Sequence, residues 1–259
     1  MDDDQLTRAI EDNAAELLMA MGAAGGGSQR NDATARWTIG GSPLDYHNAV
    51  VAGGPAAVPE SVAELRKYGV PGSWHVGPAL RSPELHTALL AAGFTHGGSE
   101  PGMALRLTDL RQPDAVPGLE LIRVSTEAAL TTWQQTLGQG FGEGEKEARW
   151  VASVYRPLGL TDPWRHYVAF LDGAPVGTIT IYFAAGVAGV YFVMTVPEAR
   201  RRGIGAALTA AALRQAEPEA QYAVLGSSAA GRSVYESLGF RAVCEIDLYE
   251  LGVPVVDGG

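Results

Sequence analysis

The chain has 259 residues, 46% of them hydrophobic, and a formal net charge of −10. This length predicts one large domain or two modest ones, and the composition is that of an ordinary globular protein. The negative charge disfavours nucleic-acid binding, which depends on a positive face, and favours either plain solubility or a cationic small molecule as partner.

The sequence gives no sign of export, membrane insertion or a structural metal. No stretch reaches about 18 uncharged apolar residues, the length needed to span a bilayer. The amino terminus, Met1-Asp2-Asp3-Asp4, is acidic where a signal peptide is basic, and Cys244 is the only cysteine. A single cysteine excludes an internal disulfide and a cysteine-built zinc site. We therefore expect a cytoplasmic protein without a metal and without a membrane partner.

The sequence pattern of residues 1–110 predicts helices and strands in a mixed order. An amphipathic helix over residues 5–22 is followed by a flexible tract, Gly25-Gly26-Gly27-Ser28. Later helices begin at Pro59 and after the cap Ser82-Pro83-Glu84. The predicted strands are 35–39, 47–52, 73–76 and 103–107.

One pattern occurs twice along the chain: a strand, a turn, a capped helix, Gly-Phe and a second strand. Gly93-Phe94 corresponds to Gly239-Phe240, and the residue four before the glycine is Leu89 in one copy and Tyr235 in the other. We interpret this as an internal repeat, with an unrelated α+β cap as the alternative reading of residues 1–110.

Residues 109–118 are polar, contain two prolines and lack periodicity, which is typical of a linker. We therefore predict an N-terminal domain over 1–110, a linker over 111–118 and a second domain over 119–259. The second domain begins with a strand at 119–124 and a helix capped by Ser125. A glycine-rich acidic segment at 138–147 and a hairpin around Asp172-Gly173 follow.

The segment 189–214 contains the strongest functional signal. An apolar strand over 190–196 ends at Pro197, and an alanine-rich helix begins near Ile204. The loop between them reads Arg200-Arg201-Arg202-Gly203-Ile204-Gly205. A strand, a tight loop and a helix start leave backbone N–H groups aimed outward, and glycine lets an anion approach them. Leu208 replaces the third glycine of a dinucleotide fingerprint, and no Walker Gly-Lys-Ser/Thr follows, so the pattern predicts another pyrophosphate ligand.

The motif Arg-x-x-Gly-x-Gly after a strand, with Tyr235 four residues before Gly239-Phe240, resembles the coenzyme A signature of the GNAT family of N-acetyltransferases over about residues 119–251. The resemblance implies an α+β or α/β fold, with a mixed, mostly antiparallel sheet flanked by helices. Residues 1–110 would be a degenerate GNAT-like domain without the cofactor motif. The implied reaction transfers acetyl from acetyl-CoA to a primary amine of a small molecule, by direct attack in a ternary complex.

The resemblance also implies roles for individual residues. Tyr235 would protonate the departing thiolate; packing on a helix face is the alternative. Ser228 stands where the family often has an asparagine that contacts the pantetheine arm. The other cofactor-binding candidates are backbone groups on the strand and loop and one helix residue: Met194, Thr195, Val196, Arg201, Arg202, Gly203, Ile204, Gly205, Ala206 and Arg232.

Several points stay open at the level of sequence. Some family members carry a glutamate on the strand before the loop, but residues 191–195 contain no carboxylate, so the base is Glu143, Glu145, His166 or a water chain. The segment 138–147 either covers the acceptor, as in the family, or is a surface loop. A non-enzymatic acyl-CoA sensor and an aminoacyl-tRNA-dependent acyltransferase are the alternative functions. The acceptor amine, the acyl chain length and a homodimer are also left open.

Overall fold

The computed structural model describes residues 1–252, and packing divides the chain into two compact units. Unit 1 consists of Met1–Asn13 and Gly102–Val243. Unit 2 consists of Ala14–Pro101 and the described residues from Cys244 onward. No helix of these residues is long and apolar enough to cross a membrane.

The helices in chain order are α1 (Asp3–Ala24), α2 (Val58–Tyr68), α3 (Pro83–Ala91), α4 (Glu127–Leu137), α5 (Glu145–Leu158), α6 (Ile204–Ala216) and α7 (Arg232–Leu238). The strands are β1 (Ser28–Asn31), β2 (Ala35–Ile39), β3 (Ala49–Gly53), β4 (Gly72–Val76), β5 (Thr95–Arg106), β6 (Leu119–Arg123), β7 (Trp164–Leu171), β8 (Ala174–Ala184), β9 (Val187–Thr195), β10 (Tyr222–Gly226) and β11 (Arg241–Leu251). Short 3₁₀ turns lie at Pro55–Ala57, Leu107–Asp109 and Pro197–Ala199.

Unit 1 is built on a mixed sheet in the order β5-β10-β9-β8-β7-β6. Adjacent strands of this sheet run antiparallel, except β9 and β10, which run parallel. Helices α4 and α6 pack on this sheet, and α5 packs on α4. The hairpin between β7 and β8 turns at Asp172 and Gly173, whose φ angles of 51° and 82° are those of a type I′ turn. The predicted fold class, a mostly antiparallel sheet flanked by helices, is confirmed.

Unit 2 has the sheet order β1-β2-β3-β4-β11, again antiparallel except for one parallel pair, β3 and β4. Helices α2 and α3 and the strands of this sheet together supply the apolar side chains of its core, where Trp74, Leu89 and Phe94 are buried. Ser82 caps α3 as predicted, because its side chain accepts a hydrogen bond from the Leu85 N–H.

Strands β5 and β11 each pair in the unit that is built mainly from the other half of the chain. Residues 102–106 of β5 pair with β10 in unit 1, whereas residues 247–251 of β11 pair with β4 in unit 2. The division by packing therefore differs from the predicted linear division at 111–118. Composition marks a linker but carries no information about which distant strands pair. A self-standing domain of residues 1–110 stays a prediction, and a chain starting at Val116 would lack the strand that pairs with β10.

Three local predictions need correction. Strand β1 follows the glycine tract and was missed because its Ser-Gln-Arg-Asn sequence is polar throughout. The cap of α4 is Thr126 and not Ser125, since the Thr126 side chain accepts a hydrogen bond of 3.2 Å from the Ala129 N–H. The last residues of the acidic segment 138–147 are helical and not part of a loop, because α5 begins at Glu145.

Candidate functional site

Strands β9 and β10 lie side by side for only a short distance. Their registered pairs are Ala188 with Ala223 and Gly189 with Val224. Beyond Gly189, β9 pairs on its other edge with β8, and β10 pairs with β5. The two parallel strands therefore part at Gly189 and leave an open edge on β9.

The direction of β9 changes at Phe192. Thr178 pairs with Met194 and Thr180 with Tyr191, so β9 carries one more residue than β8 between these pairs. Phe192 has φ +52°, and its carbonyl accepts a 2.8 Å hydrogen bond from the Thr178 hydroxyl. A non-glycine residue in this region costs about 1–3 kcal/mol and persists only where its surroundings fix it. The bulge turns the following backbone, two residues before Met194.

The pairing also decides which backbone groups face the open edge. The Val196 N–H donates to the Val176 carbonyl at 2.9 Å, and the Val196 carbonyl accepts from the Ala199 N–H at 2.9 Å. Hydrogen-bonding direction alternates along a strand, so Met194 also faces β8 and Thr195 faces outward. Of the cofactor candidates on this strand, Met194 and Val196 thus have their backbone groups engaged within the chain, and Thr195 faces the open edge. The sequence could not give this result because it depends on the register.

The loop 200–203 separates the 3₁₀ turn Pro197–Ala199 from α6. Arg201 and Gly203 have left-handed φ angles of 60° and 76°. Gly203 begins the helix without a side-chain cap, and the first turn of α6 contains no acidic residue. A Cβ added to Gly205 would find its nearest neighbour, the Thr195 hydroxyl oxygen, at 3.7 Å. The amides at this helix start therefore lack a capping side chain, and an uncapped helix start suits an anion.

The arginine triplet divides into two kinds of residue. Arg200 donates to the Thr195 carbonyl at 3.0 Å and to the Gly140 carbonyl at 3.4 Å, so it ties the loop to the end of β9. Arg201 and Arg202 are exposed, and their side chains bond to no other group within residues 1–252. These two guanidinium groups are positive charges available to a ligand beside the helix start.

Tyr235 lies on α7, the helix that follows β10. Its ring is half-buried and lies 5.8 Å from the Phe240 ring. Burial raises the pKa of Tyr235 to about 12. The phenol is therefore protonated at neutral pH and can act as a hydrogen-bond donor, which fits the role that the resemblance implies.

The two remaining cofactor candidates have partners of their own. The Ser228 hydroxyl accepts a 3.3 Å hydrogen bond from the Gly231 N–H and stabilises the turn before α7. Arg232 donates to Glu236 at 2.8 Å in an exposed ion pair one helical turn away. Both side chains are exposed, and their contact with a cofactor stays a prediction.

The acidic base candidates are engaged in surface ion pairs. Glu143 contacts Lys146 at 2.7 Å, and Glu145 contacts Arg149 at 2.6 Å. Such exposed pairs are worth about 0–1 kcal/mol and break readily. Neither carboxylate is held in place for proton transfer.

His166 lies inside an aromatic cluster that the sequence did not reveal. It is fully buried on β7, its Nδ1 is 2.8 Å from the Thr180 hydroxyl, and its Nε2 has no partner within the described part of the chain. Its ring centroid is 4.1 Å from that of Tyr155 and 5.5 Å from that of Trp133. Burial lowers the pKa of His166 to about 3, so the imidazole is neutral and too weakly basic to hold a proton at neutral pH.

The same cluster reaches the bulge of β9. Phe192 packs against Trp133 and Tyr155, with ring centroids 5.7 and 6.1 Å away. Phe141, from the glycine-rich segment, lies 5.5 Å from Phe192. This segment is thus anchored on β9 through an aromatic ring. No periodic signal could have predicted the contact, because Phe141 stands alone among glycines.

Unit 2 repeats the parallel strand pair but lacks the loop. Strands β3 and β4 pair through Ala49 with Ser73 and Val50 with Trp74, as few residues as in β9 and β10. The 3₁₀ turn Pro55–Ala57 then runs directly into α2, with nothing equivalent to residues 200–203 between them. The helix start of unit 2 therefore offers no left-handed, glycine-lined anion loop.

The comparisons with known proteins agree with this geometry. Residues 162–242 match the family model described as an acetyltransferase (GNAT) domain. No curated protein sequence matches the chain.

Solved structures with a similar fold cover most of the chain. A GCN5-related N-acetyltransferase from Kribbella flavida is 21% identical, with 95% of this chain and 96% of that chain covered and a TM-score of 0.69. A putative GNAT acetyltransferase from Novosphingobium aromaticivorans is 19% identical, with coverages of 88% and 92% and a TM-score of 0.57. A tandem GNAT protein from the clavulanic acid biosynthesis pathway is 17% identical, with coverages of 78% and 70% and a TM-score of 0.57. The chain therefore carries a GNAT acetyltransferase domain, matched over residues 162–242, within a fold that it shares with a tandem GNAT protein.

Proposed function

We propose that the chain transfers an acyl group, typically acetyl, from acetyl-CoA to a primary amine of a small molecule, by direct attack in a ternary complex. One observation carries the proposal: the open edge of β9 leads across the loop 200–203 to an uncapped helix start. A strand edge suits an extended arm with amide groups, and a helix start suits a pyrophosphate. Coenzyme A joins these two features in one molecule.

The residues of the site fit this ligand. The amides from Arg201 to Ala206 would hold the pyrophosphate, and the Arg201 and Arg202 guanidinium groups would add opposite charge. The open edge of β9 beyond Gly189 would pair with the pantetheine arm. Acetyl-CoA supplies the activated acyl group as a thioester when it is bound.

The chain's own groups account for the rest of the reaction. The Thr195 N–H would donate to the thioester carbonyl oxygen, where negative charge develops as a neutral amine attacks. The Tyr235 hydroxyl would donate its proton to the departing sulfur. Holding two reactants in line supplies up to about 7–11 kcal/mol in favourable cases. Because Glu143 and Glu145 are exposed and ion-paired and His166 is buried and neutral, we assign removal of the amine proton to water.

Thiol release from acetyl-CoA with a panel of small amines tests the proposal. Amine-dependent release of free thiol, with acetylated amine detected by its mass shift, supports an acetyltransferase. Binding of acetyl-CoA without turnover for any amine would favour a sensor. A protein that neither binds acetyl-CoA nor releases thiol would contradict the cofactor assignment itself.

The Gly203→Val variant should weaken acetyl-CoA binding at least about tenfold, or roughly 1.4 kcal/mol. Gly203 has φ +76°, a conformation that a β-branched residue avoids, so the loop must rearrange and its amides turn away from the pyrophosphate. Isothermal titration calorimetry with acetyl-CoA gives the dissociation constant.

Gly69→Val is the matched control, because Gly69 also has a left-handed φ of 63° but lies at the end of α2. It should strain the chain to a similar degree and leave the affinity for acetyl-CoA unchanged. An unaltered dissociation constant in a folded Gly203→Val protein would remove the pyrophosphate assignment.

A further inference from the structure

The side chain of Asn13 lies at the point where β9 leaves β10. Asn13 belongs to α1 and is fully buried. A Cβ added to Gly189 would come within 2.0 Å of the Asn13 Oδ1, so the carboxamide occupies space that a glycine leaves free. Gly189 is also the last residue of β9 in register with β10.

Both ends of the Asn13 amide are used to hold strands. Its Nδ2 donates to the carbonyls of Tyr182 and Ala184 on β8, at 3.3 and 3.0 Å. Its Oδ1 accepts a 2.7 Å hydrogen bond from the Tyr191 hydroxyl on β9. The partners fix the orientation of the amide, because carbonyl oxygens only accept.

These contacts hold the part of β9 that leads to Thr195, whose N–H faces the open edge. From Val190 to Thr195, β9 has β8 as its only strand neighbour among the described residues, so its course depends on how it leaves β10 and on the bulge at Phe192. Tyr191 directly precedes that bulge. The Asn13 amide thus acts on β9 just before the strand turns toward Thr195.

We propose that Asn13 is a positioning residue for acyl transfer: through Tyr191 and β8 it sets the course of β9 and thereby the direction of the Thr195 N–H. This inference rests on the function proposed above. The hydrogen bonds of the Asn13 side chain go to β8 and β9 and not to the loop 200–203, which would hold the pyrophosphate. Loss of the amide should therefore disturb the alignment of the thioester more than the affinity for coenzyme A.

Asn13→Leu, which keeps the approximate shape and removes all three hydrogen bonds, tests the inference in the full chain. We expect kcat for amine acetylation to fall at least about tenfold, since small misplacements of reacting groups reduce rates by up to about 10²-fold. The dissociation constant of acetyl-CoA should change less than about threefold. Tyr191→Phe, which removes one hydroxyl and tolerates folding better, should lower kcat in the same sense by a smaller factor.

Ser61→Ala is the control for lost buried hydrogen bonds. Ser61 is buried in unit 2, donates to the Val58 carbonyl and accepts from the Trp74 indole N–H. The Ser61→Ala variant should leave kcat unchanged. If Asn13→Leu and Tyr191→Phe both keep the wild-type kcat, or lose affinity and kcat in parallel, the positioning role is overturned. A wild-type protein that releases no thiol with any amine overturns the proposed function, and this inference with it.

Discussion

Tyr235→Phe should lower kcat by about 10²-fold or somewhat less while the affinity for acetyl-CoA stays nearly unchanged. The ring still packs against Phe240, so folding and ground-state binding persist and only the hydroxyl is lost. In the proposed reaction that hydroxyl donates to the sulfur as negative charge develops on it, so its loss should lower kcat and leave KM nearly unchanged. A thiolate is a good leaving group, which places the expected loss at the low end of general-acid contributions.

The pH profile adds a second readout. Because burial raises the pKa of Tyr235 to about 12, the phenol stays protonated through the usual assay range, and kcat should show no alkaline limb from this group below about pH 10. Chemistry must limit turnover for the loss to appear, and a pre-steady-state burst of thiol reveals whether product release is slower. If the variant turns over at the wild-type rate with no burst in either protein, Tyr235 is a packing residue.

The sequence predicted most elements of the fold because their signals are local. The strand 35–39 and the start of α6 at Ile204 coincide with the prediction, since β-branched runs, prolines and alanine-rich helical spacing act over a few residues. The exchange of β5 and β11 between the units was not predictable in this way. It depends on pairing between residues more than a hundred positions apart, such as Leu105 with Ala223.

In the candidate site, too, the sequence predicted the features with a local signal and missed those that depend on strand pairing. The motif located the loop 200–203 and the helix start, because glycine and charge mark them in the sequence. It did not distinguish Thr195 from Val196, since the direction of a backbone N–H follows from register. Asn13 carries no signal of its own: an asparagine in an amphipathic helix is ordinary, and only the structure shows its burial against Gly189, from which the positioning role is proposed.

His166 should make the protein sensitive to acid, and His166→Phe should relieve much of that sensitivity. Burial lowers the pKa of His166 to about 3, whereas an unfolded histidine titrates near 6.5. Below about pH 6.5 the unfolded chain takes up a proton that the folded chain refuses, so the free energy of unfolding falls by about 1.4 kcal/mol per pH unit. Between pH 6.5 and 4.5 this amounts to roughly 2–3 kcal/mol, and above pH 6.5 the contribution of this group is constant.

Urea unfolding of the wild type and of His166→Phe at pH 7.0 and 4.5 measures the effect. Phenylalanine suits the aromatic surroundings of Tyr155 and Trp133, and carboxylates titrate alike in both proteins, so the difference between the two pH dependences isolates His166. His75, whose pKa burial lowers to about 4, acts in the same sense and remains in both proteins. NMR provides a direct check: the His166 ring resonances of the folded protein should not shift between pH 8 and 5. Equal acid sensitivity in the two proteins, or a ring that titrates near pH 6.5, would show that His166 is not held neutral in the folded state.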